Sequence, residues 1–122
     1  MIEAGAELTR KLDTSGLRVT TALWLFEPEL NEWRLLFASP EVATKGPRDV
    51  YEKIRQAINQ LAEKASAVPL SVVGLLDTNA ELARLLKGAL RTGSGPNVSQ
   101  IRFSKNVING HFIEDALIYR AV

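Results

Sequence analysis

The hydrophobic positions of this chain repeat with two different periods, which predicts a mixture of strands and helices. Residues 18–26 and 33–39 are rich in β-branched and aromatic side chains, and residues 27–32 between them contain proline and asparagine. This composition is typical of two strands joined by a turn. Pairing Phe26 with Trp33 makes both faces of this first hairpin apolar, so we expect helices on both sides of the sheet or a partner on one side.

Three further segments have the spacing of amphipathic helices. They cover residues 2–13, residues 47–66, and a segment that starts at 78–81 and ends before 92–97. Pro47 suits a first helical position because it loses only a backbone donor that would be unpaired there anyway. Thr78 and Glu81 form a capping-box pattern, and the glycines of 92–97 are typical of a helix end.

The remaining strands follow from an apolar run and a turn signal. Residues 71–76 are continuously apolar, as expected for a strand buried on both faces. Asn109-Gly110 favours a two-residue turn and predicts a second hairpin over residues 100–122. The register of that turn places Lys105 opposite Glu114.

The element order is therefore α-β-β-α-β-α-β-β, which predicts one α+β domain over residues 1–122 with helices packed on a mixed sheet of about five strands. Strands 33–39, 71–76 and 100–108 are each separated by one helix. Right-handed crossovers would make these three strands parallel, with strands 18–26 and 112–121 antiparallel to them.

Composition and charge exclude several functional classes but do not identify a function. Fifteen Lys and Arg residues against fourteen Asp and Glu give a net charge of +1, which argues against a general attraction to polyanions. The chain has no cysteine, which excludes disulfides, cysteine nucleophiles and cysteine-bound metals and fits a reducing compartment. We expect no signal peptide and no membrane span, and hence a cytoplasmic protein.

Three parallel strands would bring their carboxyl ends to one edge of the sheet, where open α/β folds bind ligands. The ligand-binding residues predicted at this edge are Thr44, Lys45, Arg48, Asp77, Asn79 and His111. The first three flank a helix N-terminus, where free N–H groups and the dipole attract an anion such as a phosphate or carboxylate. A solvated loop that merely starts the helix is the alternative.

A second binding hypothesis rests on a local excess of positive charge. Between Leu82 and Ile113 there are five basic residues and no acidic one. A nucleic acid would contact these side chains, which are Arg84, Lys87, Arg91, Arg102 and Lys105. Ordinary charge scatter on a solvated surface is the competing interpretation, and it is favoured because the overall charge is nearly balanced.

Catalytic constellations are absent from the pattern. His111 is the only histidine and has no metal-ligand spacing around it, so neither a metal nor a cofactor is expected. Asp115 is roughly 13 Å further along the same strand, too far to complete a triad with His111. Asp115 instead shares a strand face with Arg102 and Ser104, which indicates a structural ion pair.

Trp24 and Trp33 share one face of the first hairpin and could stack on a planar ligand. No Lys or Arg accompanies them in that hairpin face, so the pattern favours core packing.

The sequence thus predicts a small non-enzymatic protein that acts through protein–protein contacts, as a homodimer. Binding of a phosphate-bearing ligand or a nucleic acid is the alternative. An enzyme that uses Asp77 or Asp115 as its acid or base is a third hypothesis.

Overall fold

A computed structural model of the chain describes residues 2–61, 68–76, 78, 80–89, 98–108 and 110–121. Its helices are α1 (Ile2–Thr14), α2 (Glu41–Lys45), α3 (Pro47–Leu61) and α4 (Glu81–Ala89). Its strands are β1 (Thr21–Glu27), β2 (Glu32–Ala38), β3 (Val73–Leu76), β4 (Ile101–Ile108) and β5 (His111–Ala121). The predicted α+β fold with a five-stranded mixed sheet is confirmed. The short helix α2, however, lies where the sequence predicted only a loop.

The five strands form one sheet in the order β3-β2-β1-β5-β4. Phe26 pairs with Trp33 in the first hairpin, as predicted, and Ile101 pairs with Ile118 in the second. The strands β2 and β3 are parallel, and every other neighbouring pair is antiparallel. Strands β3 and β4 are therefore the two edges of the sheet.

Helices cover both faces of the sheet, which explains the double-sided apolar pattern of the first hairpin. Helices α1 and α3 pack on the face that carries Trp24, Leu35 and Phe37. Helix α4 packs through Leu82, Leu85 and Leu86 on the opposite face. We call these the α1 face and the α4 face. Apolar residues on both sides of β1 and β2 need no partner protein to bury them.

One irregularity in the sheet holds helix α1 at both ends. The β1–β5 register shifts between Ala22, which pairs with Arg120, and Leu23, which pairs with Ile118. Tyr119 is thus an extra residue in β5, and this bulge turns both Tyr119 and Arg120 toward α1. The Tyr119 hydroxyl donates to the Ile2 carbonyl at 2.6 Å, and the Arg120 guanidinium forms a two-pronged pair with Asp13 at 2.7 and 2.8 Å.

The predicted direction of the fourth strand is wrong. Strand β4 pairs antiparallel with β5, which runs parallel to β2 and β3, so β4 points the opposite way from both. A parallel crossover places a strand beside its predecessor, whereas β3 and β4 lie on opposite edges, about 19 Å apart at four strand spacings. The connection through α4 crosses the width of the sheet instead of returning along its length.

Candidate functional site

The reversed strand separates the predicted ligand-binding residues. The carboxyl ends of β2 and β3 do share one end of the sheet, and Thr44, Lys45 and Arg48 follow β2 there. His111 begins β5 at the opposite end, close to the turn between β1 and β2. Asp77 and Asn79 lie outside the described residues. The predicted convergence of the first loop with His111 is therefore not formed.

The Thr44–Arg48 segment is organised around a carboxylate. Glu41 accepts hydrogen bonds from the Lys53 ammonium at 2.8 Å and the Arg18 backbone N–H at 3.1 Å, and Lys45 lies 3.1 Å from the same carboxylate. The bond from Lys53 is the main reason that the pKa of Glu41 falls from 4.5 to about 2, although burial opposes the shift. Lys45 is therefore already paired with an anion of the protein itself.

The ion pairs of Glu41 should make the free energy of unfolding depend on pH in the acid range. The pKa of Glu41 is lower in the folded chain, so its stabilising contribution is complete above pH 4.5 and is lost as the pH falls toward 2. We expect Glu41→Gln to lower the free energy of unfolding by about 1–2 kcal/mol at pH 7, an amount limited by the solvent around the lysines. Urea unfolding across this pH range should show the two proteins converging in acid. Glu29→Gln in the exposed turn is the control, and an equal loss there would contradict the assignment.

The basic residues predicted to contact a nucleic acid are only partly free to do so. Arg102 forms a two-pronged ion pair with Asp115 at 2.6 and 2.5 Å, and Ser104 donates to the same carboxylate at 3.0 Å. Arg84, Lys87 and Lys105 are exposed, and Arg91 lies outside the described residues. The predicted structural ion pair of Asp115 is confirmed. No bond joins Lys105 to Glu114 in this described hairpin, because Lys105 adopts a left-handed backbone with φ 45°.

Asp115 is poorly suited to act as a general base. The hydrogen bond from Arg102 is the main cause that lowers the pKa of its carboxyl, with Ser104 acting in the same direction. A carboxylate stabilised in its ionised form accepts a proton weakly. The third hypothesis therefore gains nothing from Asp115, and Asp77 lies outside the described part of the chain.

The two tryptophans have different surroundings. Trp24 is buried beneath α1, which agrees with core packing. Trp33 is half-buried, and its ring packs at a tilt of 56° against Phe26 with the centroids 5.4 Å apart. The guanidinium carbon of Arg102 lies 6.0 Å from the centroid of the Trp33 ring. The expectation from the sequence covered only the face of the first hairpin, and the cation at Trp33 is Arg102, which reaches it from the other hairpin. Three strand spacings separate their backbones, so no pattern within either hairpin indicates the contact.

The hairpin of β4 and β5 carries the largest exposed apolar side chains of the sheet. Val107 and Phe112 pair directly across the two strands, and each is 58% exposed. The sequence contained a signal for this pair, because the Asn109-Gly110 turn sets 107 opposite 112. Ile101 and Phe103 on the same hairpin are half-buried at the margin of the α4 face.

The two sheet edges differ in how far they are protected. At β3, which has four residues, the Val73 carbonyl accepts from the Tyr51 hydroxyl at 3.4 Å and from Arg34 at 3.5 Å. At β4, the left-handed Lys105 interrupts the strand, and the Val107 N–H is bonded to the Asn106 side chain at 2.9 Å. Residues 101–104 lie before this interruption, and pairing with β5 resumes beyond it at Asn106.

Comparison with known proteins gives no further information on this surface. The chain matches no protein-family model, no curated protein and no solved structure. In the parts of the chain that the structure describes, no group of three or more acidic or histidine side chains could hold a metal ion. No helix among the same residues is long and apolar enough to cross a bilayer.

Proposed function

We propose that this is a small cytoplasmic, non-enzymatic protein that acts through protein–protein contacts as a homo-oligomer, with the β4–β5 hairpin as its contact surface. The observation that carries the proposal is the cross-strand pair of Val107 and Phe112, each 58% exposed. Two large apolar side chains that face each other in a strand pair form a continuous patch, and such patches mark interaction sites. The absence of cysteine from the sequence supports a reducing compartment.

The charges around the hairpin support contact with a protein rather than with a polyanion. Arg102, near the start of β4, is neutralised by Asp115. Lys45, one of the two cations of the alternative anion site, is paired with Glu41. Lys45 and Arg102 would each have to give up a carboxylate to bind a phosphate, which weakens the anion hypothesis at these two positions.

Light scattering of the eluted protein over a concentration series tests the proposal. We expect the wild type to increase in mass with concentration, and the double variant Val107→Ser/Phe112→Ser to need a roughly tenfold higher concentration for the same increase, with unchanged thermal stability. The stability should hold because exposed side chains contribute little to the core. Leu30→Ser is the matched control, since Leu30 is 59% exposed in the other hairpin. A wild type that stays monomeric throughout would refute self-association.

A further inference from the structure

We infer that two copies of this chain join through residues 101–104 of β4, aligned antiparallel, so that the two five-stranded sheets become one sheet of ten strands. The inference rests on the proposed self-association and adds to its contact surface: the paired segment lies in the same hairpin as the Val107–Phe112 patch, which would flank the ladder beyond Lys105. A strand at a sheet edge presents unpaired backbone N–H and C=O groups, and another strand is the natural partner for them.

The two edge strands differ in how many backbone groups are already engaged, and residues 101–104 of β4 are where another strand can be added. At β3 the Val73 carbonyl already accepts bonds from Tyr51 and Arg34. In β4 the left-handed Lys105 interrupts the outer edge, although pairing with β5 resumes at Asn106, and the Asn106 side chain occupies the Val107 N–H. The described part of the sheet therefore offers an edge of four residues. A second copy presents a segment of the same length, whereas a longer strand would run into Lys105.

The side chains of this edge are complementary to their own antiparallel copy. Ile101 and Phe103 pack against the α4 face, whereas Arg102 and Ser104 lie toward Trp33 and Asp115 on the α1 face. A two-fold axis perpendicular to the sheet places the α1 faces of both copies on one side of the joined sheet and their α4 faces on the other. Apolar side chains of one copy then extend the apolar face of the other, and polar side chains meet polar ones.

Charge selects the register. Centring the axis on Arg102 would set two guanidinium groups directly opposite each other, which is unfavourable. Centring it on Phe103 pairs the two phenylalanines and sets Arg102 against Ser104 of the second copy. Lys105 then falls opposite Ile101, so the ladder ends where each strand becomes irregular. We therefore assign the axis to Phe103.

The same geometry limits the assembly to two chains. Each molecule uses its β4 edge in an isologous contact, so the contact closes on two copies and the described part of β4 has no edge left to continue the sheet into a fibre. An interface built on so few paired residues is smaller than a standard one, and we expect dissociation in the micromolar range or weaker.

Disulfide capture tests the interface, because the chain contains no natural cysteine. Residues directly opposite in an antiparallel pair have Cα atoms about 4.5–5.5 Å apart, within the range that a disulfide spans. We expect Phe103→Cys to form a covalent dimer roughly tenfold or more faster than Leu30→Cys under mild oxidation, because association raises the local thiol concentration. Leu30→Cys, in the exposed turn, reports random collision.

Hydrogen exchange on the unmodified chain removes the risk that the Phe103 variant misfolds. Backbone amides in 101–104 should become more protected as the concentration rises from about 5 to about 500 μM, while those of β3 stay unchanged. Wild-type dimers with no preferential Phe103 capture and no protection of 101–104 would overturn this interface but leave self-association intact. A wild type that is monomeric at every concentration would overturn both.

Discussion

Replacing Asp13 by alanine is expected to lower the free energy of unfolding by about 2–4 kcal/mol, because it removes the partly exposed carboxylate that neutralises a buried guanidinium. The Arg120 side chain is only 4% exposed, and Asp13 supplies the carboxylate that neutralises it at the end of α1. The variant leaves a guanidinium in a site that water hardly reaches. Urea-induced unfolding followed by circular dichroism at pH 7 measures the loss.

Glu29→Ala provides the control for this substitution. Glu29 lies in the exposed turn after β1, where removing a carboxylate should change the free energy of unfolding by no more than about 0.5 kcal/mol. A loss below 1 kcal/mol for Asp13→Ala, measured beside this control, would show that the pair does not hold α1 to the sheet.

The same glycine-to-alanine change should have opposite effects in two helices. In α1, a Cβ on Gly5 would lie 2.6 Å from the Trp24 indole nitrogen and closer still to the Tyr119 hydroxyl. Overpacking of this kind costs about 1–3 kcal/mol, which exceeds the gain in helix propensity of at most about 1 kcal/mol. Gly5→Ala is therefore expected to lower the melting temperature, as differential scanning calorimetry would show.

Gly88 in α4 is the matched site, because a Cβ there meets no atom within 4 Å. Only the propensity term applies, so Gly88→Ala should raise the stability by about 0.5–1 kcal/mol. If both variants were stabilised, α1 would not approach Trp24 and Tyr119 as closely as the structure has it.

Local pattern was sufficient for most of the secondary structure. The alternation of apolar residues and the Asn109-Gly110 turn predicted both hairpins, and the registers that pair Phe26 with Trp33 and Ile101 with Ile118 are confirmed. The helix start at Pro47 was likewise indicated by short-range signals, and the capping-box pattern at Thr78 and Glu81 indicated α4, which begins at Glu81 instead of directly after Thr78. Such signals work because strand and helix periods, turn dihedral angles and caps depend on neighbours only a few residues apart.

The candidate site was less predictable because it depends on which strands are neighbours. A helix between two strands favours a parallel crossover, yet α4 carries the chain from one edge of the sheet to the other, and β4 enters in the opposite direction. That reversal removed His111 from the predicted ligand edge. It also brought Arg102 over Trp33.

The sequence by itself determined the α+β class, the two hairpins with their registers, the helix starts and the polar cluster of Arg102, Ser104 and Asp115, all of which rest on local spacing. The tertiary structure alone decided the direction of β4, the bulge that joins Arg120 to Asp13, and which strands form the edges of the sheet. The physical reason is that burial of both sheet faces can be satisfied by more than one order of strands. Only the packing of the whole chain selects among those orders.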